Sequence, residues 1–262
     1  MQEVVTQLSE NLLKMGHDVT IATVYDENRT SNVINGVKIA EFKIKGNFVS
    51  GMTGEIGLYQ NFLKSNDFDI ITNFAAQQWA TDLMLPILKE LKAKKVFVPT
   101  GFSALNIPSY KAYFENMKTW MKGYDANVFL SDNYRDINFA RKNHINQIEI
   151  ITNGANEKEF ANVPPIDIKK LINVSTETKL ILTVGSHTGY KGHAEAIKIF
   201  SEAQIDNSVL LIIGNVNTDG QTIINFIKGI VNWLGLRRTN CSINCKMSAV
   251  KFNIFEKITS VK

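Results

Sequence analysis

The chain has 262 residues, 44% hydrophobic and 21% charged, with 29 Lys+Arg against 25 Asp+Glu for a net charge of +4. These proportions exclude a disordered, collagen-like or coiled-coil chain, and the length gives a prior of about 1.7 domains. The small positive charge is compatible with an anionic ligand or a membrane surface and does not by itself point to nucleic acid. Two cysteines, Cys241 and Cys245, cannot build a disulfide framework, so free thiols in a reducing compartment are expected. The N-terminus carries no basic-then-apolar signal pattern, and runs such as Val209–Ile213 have buried-strand length, far short of the ~20 residues of a membrane helix. A cytoplasmic protein is expected, with peripheral membrane attachment left open.

Strands and helices alternate along the chain. Val4, Val5, Leu8, Leu12 and Leu13 have helical spacing, and Gly16 stops that helix. Strands are expected at 17–24 and 37–42, a helix at 56–63, a strand at 69–72 and a helix at 80–91. A strand at 96–98 ends at Pro99-Thr100-Gly101, and an aromatic-rich helix spans 110–122. A strand at 127–131, a helix at 136–142 and a strand at 148–151 follow. Asn153-Gly154 and Pro164-Pro165 then break the pattern. It restarts with a strand at 180–184, a loop at 185–192, a helix at 193–203, a strand at 209–213 and a helix at 221–233. The segment from Cys241 to Lys262 is ambiguous. Short apolar strands alternating with helices indicate an α/β protein with parallel sheets covered on both faces, in two lobes, 1–152 and 153–262.

The most informative stretch is Leu182-Thr183-Val184-Gly185-Ser186-His187-Thr188-Gly189-Tyr190-Lys191-Gly192-His193. A strand feeds a glycine-bearing loop that opens a helix. This arrangement aims backbone N–H groups and the positive end of the helix dipole at one point, and Lys191 adds a full charge. A phosphate or diphosphate suits such a place. The dinucleotide and P-loop fingerprints are both absent, and a plain strand–helix turn with glycines for backbone geometry is the alternative. A second signal is Ile151-Thr152-Asn153-Gly154-Ala155-Asn156, a strand end and turn that closes four residues later at Phe160.

Together these stretches resemble the GT-B glycosyltransferases, in particular retaining family 4. Its members show I-P-N-G-V-D-x-x-x-F at the entry to the C-terminal lobe and V-G-R-x-x-x-x-K-G downstream. Ala126–Ser131 is similar to the family's strand ending in serine, and Leu13–Thr20 to its L-x-x-x-G-H-x-V segment. The resemblance implies two Rossmann-like lobes, an acceptor-side lobe at 1–152 and part of a nucleotide-sugar-binding lobe at 153–262. It implies transfer of a sugar from a nucleotide-sugar to an acceptor (glycan, lipid or small molecule) with retention, no bound metal, no further cofactor and no nucleic-acid partner. Donor-binding positions are then Gly185, Ser186, His187, Lys191, Gly192, Gly214 and Asn215, and Asn73, Gln77, Thr100 and Gly101 would face the interlobe cleft. No catalytic residue is assigned.

The chain also departs from the pattern. Ser186 stands where the family carries an arginine and Thr100 where many members carry a histidine. Family members begin with a strand and glycine-rich loop before the first helix and end beyond an acidic motif, whereas this chain starts inside that helix and stops before that motif. The expectation is a partial enzyme, with a non-catalytic nucleotide or sugar-phosphate binding module, or a fragment without independent function, as the alternative readings. In a sheet of order 3-2-1-4-5 the first strand is central. Without it, the strands near 19–24 and 69–72 lose their shared neighbour, unless they pair directly. Of the remaining features, Tyr110, Tyr113, Phe114, Met117 and Met121 share one helical face, which reads as core sooner than as a membrane-surface stripe. Gln77, Gln78 and Trp79 lie where ligands bind at the carboxyl edge of open α/β sheets, with Asn73 as the expected N-cap of the next helix. His17, His144 and His193 have no carboxylate or nucleophile at a telling spacing.

Overall fold

A computed structural model describes residues 2–157, 160–161, 165–186, 191–214 and 258–261. The chain forms two compact units, residues 1–159 and 160–262.

Unit 1 opens with α1 (Gln2–Lys14), which ends before Gly16. Strand β1 (Thr20–Val24) pairs parallel with β3 (Val37–Phe42), and β2 (Val33–Ile34) adds an antiparallel edge to β3. A hairpin that the sequence pattern did not suggest follows, β4 (Ile44–Asn47) and β5 (Gly51–Gly54). Its turn is closed by the Asn47 side chain, whose Oδ1 accepts from the Val49 and Ser50 backbone N–H groups at 3.0 and 2.8 Å. After α2 (Ile56–Ser65), a four-stranded parallel sheet runs β6 (Ile70–Phe74), β7 (Lys94–Val98), β8 (Ala126–Phe129) and β9 (Ile148–Ile150) in sequence order.

The helix expected over 80–91 is shorter. Helix α3 spans only Trp79–Met84, and the chain continues as a 3₁₀ turn over Leu85–Glu90. Pro86 is the cause, because its ring removes an N–H donor and crowds the preceding turn. Helix α4 (Lys111–Trp120) is likewise flanked by 3₁₀ turns at Pro108–Tyr110 and Met121–Gly123. Tyr113, Phe114, Met117 and Met121 are all buried, so that stripe is core. They join Phe97, Phe102, Tyr124 and Phe129 in one hydrophobic cluster with α5 (Arg135–Lys142).

β1 and β6 belong to different sheets and do not pair with each other. Val19 and Tyr25 bond to β3, and Asp69 and Ala75 bond to β7. By the parallel register, the odd-numbered residues of β1 and β6 therefore face these partners. The N–H and C=O groups of Thr20, Ala22, Val24, Ile70, Thr72 and Phe74 lie on open edges. Ala22, Ala40 and Ile71 nevertheless pack on the same cluster, so both sheets share one core.

Unit 2 contains the short α6 (Ile168–Leu171), then β10 (Lys179–Val184), α7 (His193–Ala203), β11 (Ser208–Ile213) and β12 (Ile258–Val261). The sheet is parallel in the order β10-β11-β12, so the ambiguous C-terminal stretch contains a third strand. Ile197 and Phe200 of α7 pack on Leu210 and Ile212 of β11. The helix expected at 221–233 and both cysteines lie outside the described residues. Among the described residues no helix is long and apolar enough to cross a membrane, and no three His, Cys, Asp or Glu side chains converge as metal ligands.

Candidate functional site

In unit 2 the carboxyl ends of β10 and β11 are brought level by their register, Val184 opposite Ile213. Gly185 and Gly214 follow these strands. The Gly185 N–H donates to the Ile213 carbonyl at 2.9 Å, which extends the ladder into the loop. A Cβ at Gly185 would stand 3.1 Å from both Cβ and Cγ of Lys191. The lysine stem therefore lies across Gly185, while the residue itself is exposed. Gly192, with φ +74°, turns the chain into α7 and, as its N-cap residue, has no side chain to offer that helix. The backbone N–H groups of its first turn thus open toward the place where Lys191 begins, the arrangement that attracts an anion.

His193 holds this loop in shape. It is 1% exposed, and its Nε2–H donates to the Gly185 carbonyl at 2.9 Å. The Thr183 hydroxyl lies 3.5 Å from Nδ1. A search for a nucleophile or carboxylate partner passes over this role, because the partner is a backbone carbonyl eight residues back. Glu195 is the acidic residue of the first helical turn. It suits the helix dipole and opposes a bound anion at the same mouth. Of the expected donor positions, Gly185, Lys191 and Gly192 come together, Ser186 is half-buried beside them, and Gly214 ends the neighbouring strand. His187 and Asn215 lie outside the described residues.

In unit 1 the carboxyl ends of β6 and β7 carry a run of left-handed residues: Ala75 (φ +64°), Gln77 (+64°), Thr100 (+57°), Gly101 (+103°) and Phe102 (+45°). Such backbone is strained for side-chain-bearing residues and gathers at ligand sites. It is pinned from outside. The Thr81 hydroxyl donates to the Ala75 carbonyl at 2.7 Å. The Gly101 N–H donates to Asp136 Oδ2 at 2.8 Å, and a Cβ on Gly101 would meet the Tyr134 ring at 2.7 Å. The Gln77 N–H donates to the Tyr113 hydroxyl at 3.0 Å. Gln77 Oε1 accepts from the Ser103 hydroxyl at 3.3 Å, so Gln77 and the 100–104 turn meet. Thr100 is exposed and Gly101 is buried.

Asn73 does not cap a helix. It is buried in β6, and its Oδ1 accepts from the Tyr124 hydroxyl at 2.9 Å. The N-cap of α3 is Gln78, five residues later, because β6 runs on to Phe74. A further polar group was not legible in the sequence. Asp82, 1% exposed, accepts from the Tyr113 hydroxyl at 2.7 Å and the Phe48 N–H at 2.9 Å. Burial raises its pKa above the ordinary 3.8, against the pull of these hydrogen bonds.

The sequence matches no protein-family model and no curated protein. Solved structures do match. A sucrose-phosphate synthase from Thermosynechococcus elongatus aligns with 98% of this chain at TM-score 0.67 and 14% identity. A glycosyltransferase from Rickettsia africae ESF-5 aligns with 99% at TM-score 0.66 and 19% identity. An E. coli trehalose-6-phosphate structure bound with UDP-2-fluoro glucose aligns with 93% at TM-score 0.53 and 12% identity. The fold is therefore that of the GT-B glycosyltransferases, with parallel-sheet α/β units. The chain spans 63% of the length of the first two, so it holds that fold in part.

Proposed function

We propose that this chain is part of a retaining glycosyltransferase, with the donor diphosphate at the mouth of α7 and the acceptor at the strained edge of β6 and β7. The observation that carries the reading is the Lys191 stem laid across Gly185 at the start of an eleven-residue helix whose N-cap is a glycine. Glycosyl transfer puts negative charge on the leaving diphosphate. An ammonium and a set of helix-mouth N–H groups, already in place, stabilise that charge most where it develops. Gly185 and Ser186 line the same pocket, and Gly214 lies beside the nucleotide. Gln77, Thr100 and Gly101 offer amide, hydroxyl and backbone groups to an acceptor.

UDP is the first nucleotide to try, because the E. coli neighbour was solved with a UDP-sugar. Sugar phosphates are the first acceptors, because the Thermosynechococcus neighbour is named for a phosphorylated sugar product. Calorimetric titration of UDP, GDP and their glucose conjugates tests the donor site. Lys191→Ala should weaken nucleotide binding at least about tenfold, a loss of ~1.4 kcal/mol. Unchanged affinity would remove Lys191 from the diphosphate. Ser186, in place of an arginine, favours a second reading, a module that binds the nucleotide without turnover. Release of UDP from UDP-glucose in the presence of acceptor separates the two.

A further inference from the structure

Unit 1 carries a cavity of about 360 Å³ that the glycosyl-transfer reading does not use. It lies between two facing helical stripes. Lys111, Phe114 and Lys118 repeat at one-turn spacing on α4, and Phe139 and Lys142 do so on α5. Gln77, Thr100 and Gly101 are not among its walls. Its floor is preformed, since the Phe102, Phe114 and Phe139 rings meet pairwise edge-on at 5.1, 5.3 and 5.9 Å. Ile107, 49% exposed and next to Pro108, forms an apolar lip.

The rim has a surplus of positive charge: three lysines and one carboxylate, Glu115, which is engaged with Lys118 at 2.6 Å and also feels Lys111. Among the described residues no carboxylate lies within 4 Å of Lys111 or Lys142. Ammonium groups on flexible stems around an aromatic floor select a ligand with an anionic head and an apolar body. A volume of this size takes one small molecule, whereas a bilayer surface calls for an exposed apolar helix face. The exposed face of α4 instead carries Lys111, Glu115 and Lys118, and its apolar stripe is core.

We infer that the groove between α4 and α5 binds a monomeric amphiphilic anion of the alkyl phosphate class. None of the proposed donor-binding residues lines this groove, and its occupancy is read without turnover.

The test is calorimetric titration of the full chain with decyl phosphate below its micellar concentration. Inorganic phosphate and decanol serve as half-ligands. Decyl phosphate should bind at least about tenfold tighter than either, because head and body each find a partner. The double variant Lys111→Glu/Lys142→Glu should lose about tenfold and flatten the salt dependence. Ile107→Asp should lose a similar factor while melting like the parent, since all three positions lie at the surface. Amide shifts on adding decyl phosphate should centre on Asn106, Lys111 and Asn143. Equal binding of inorganic phosphate and decyl phosphate overturns the inference, as does undiminished affinity in the charge-reversed chain. Binding to phosphatidylglycerol vesicles without binding of the monomer overturns it in favour of a membrane surface.

Discussion

Gly185 and Lys191 act as a pair. A methyl group at 185 would press on the lysine stem at 3.1 Å, so the stem must shift by a few tenths of an ångström. Gly185→Ala is therefore expected to weaken UDP binding about fivefold, or ~1 kcal/mol, without a matching loss of stability. In the Lys191→Ala background the same change should cost almost nothing more, because the group it displaces is gone. Additive losses in that double-mutant cycle, read by calorimetry, would show that the two residues act separately. The spacing of this pair was legible in the sequence, since a strand, a glycine and a lysine before a second glycine form a pattern with a mechanism. The role of His193 was not. Its partner is a main-chain carbonyl, which has no residue type to recognise. Asn73 misled for a related reason. Asparagine is both a good cap and a good buried acceptor, and only the extension of β6 to Phe74 decides between them.

Between elements, Asp82 is the chief polar tie. It joins the tip of the β4–β5 hairpin, through Phe48, to α3 and to Tyr113 on α4, and Tyr113 in turn holds Gln77. Asp82→Asn sets an amide N–H against donors that now find an acceptor, and should cost about 1–3 kcal/mol. The pH dependence has a fixed sign. Burial raises the folded-state pKa above 3.8, so the folded chain keeps this proton to higher pH than the unfolded chain does. Asp82's contribution to stability is full below 3.8 and declines as pH rises through the raised value. The amide of the variant does not titrate, so the stability gap between parent and variant should shrink as pH rises above about 4 in urea denaturation. A constant gap would mean that Asp82 titrates normally in the folded chain. The hairpin itself escaped the sequence pattern, because Ile44–Gly54 has three glycines and no apolar alternation long enough to read as strands. The sequence left open whether β1 and β6 pair directly, and they do not, so each keeps one unpaired edge.

At the scale of the whole molecule the chain divides into two compact units, each with its own hydrophobic cluster, Phe97, Met117 and Phe129 among others in unit 1 and Ile197, Phe200, Leu210 and Ile212 in unit 2. The units should not unfold as one two-state system. Hydrogen exchange in rising urea is expected to release the amides of β10, β11 and α7 in a separate step from those of β7 and β8. UDP at a hundred times its Kd should delay the release of β10, β11 and α7 by about 2.7 kcal/mol. Loss of all these amides at one urea concentration would contradict the division. By itself the sequence determined the alternation of strands and helices, the glycine–lysine loop and the GT-B class, because periodicity and turn chemistry are local and motif spacing lies along the chain. Only the tertiary structure decided which acceptor each buried polar group meets, which edges stay unpaired, and that the lysines of α4 and α5 face one another across an aromatic floor. Those outcomes depend on residues well separated along the chain arriving at one place, and no local pattern records the distance between them.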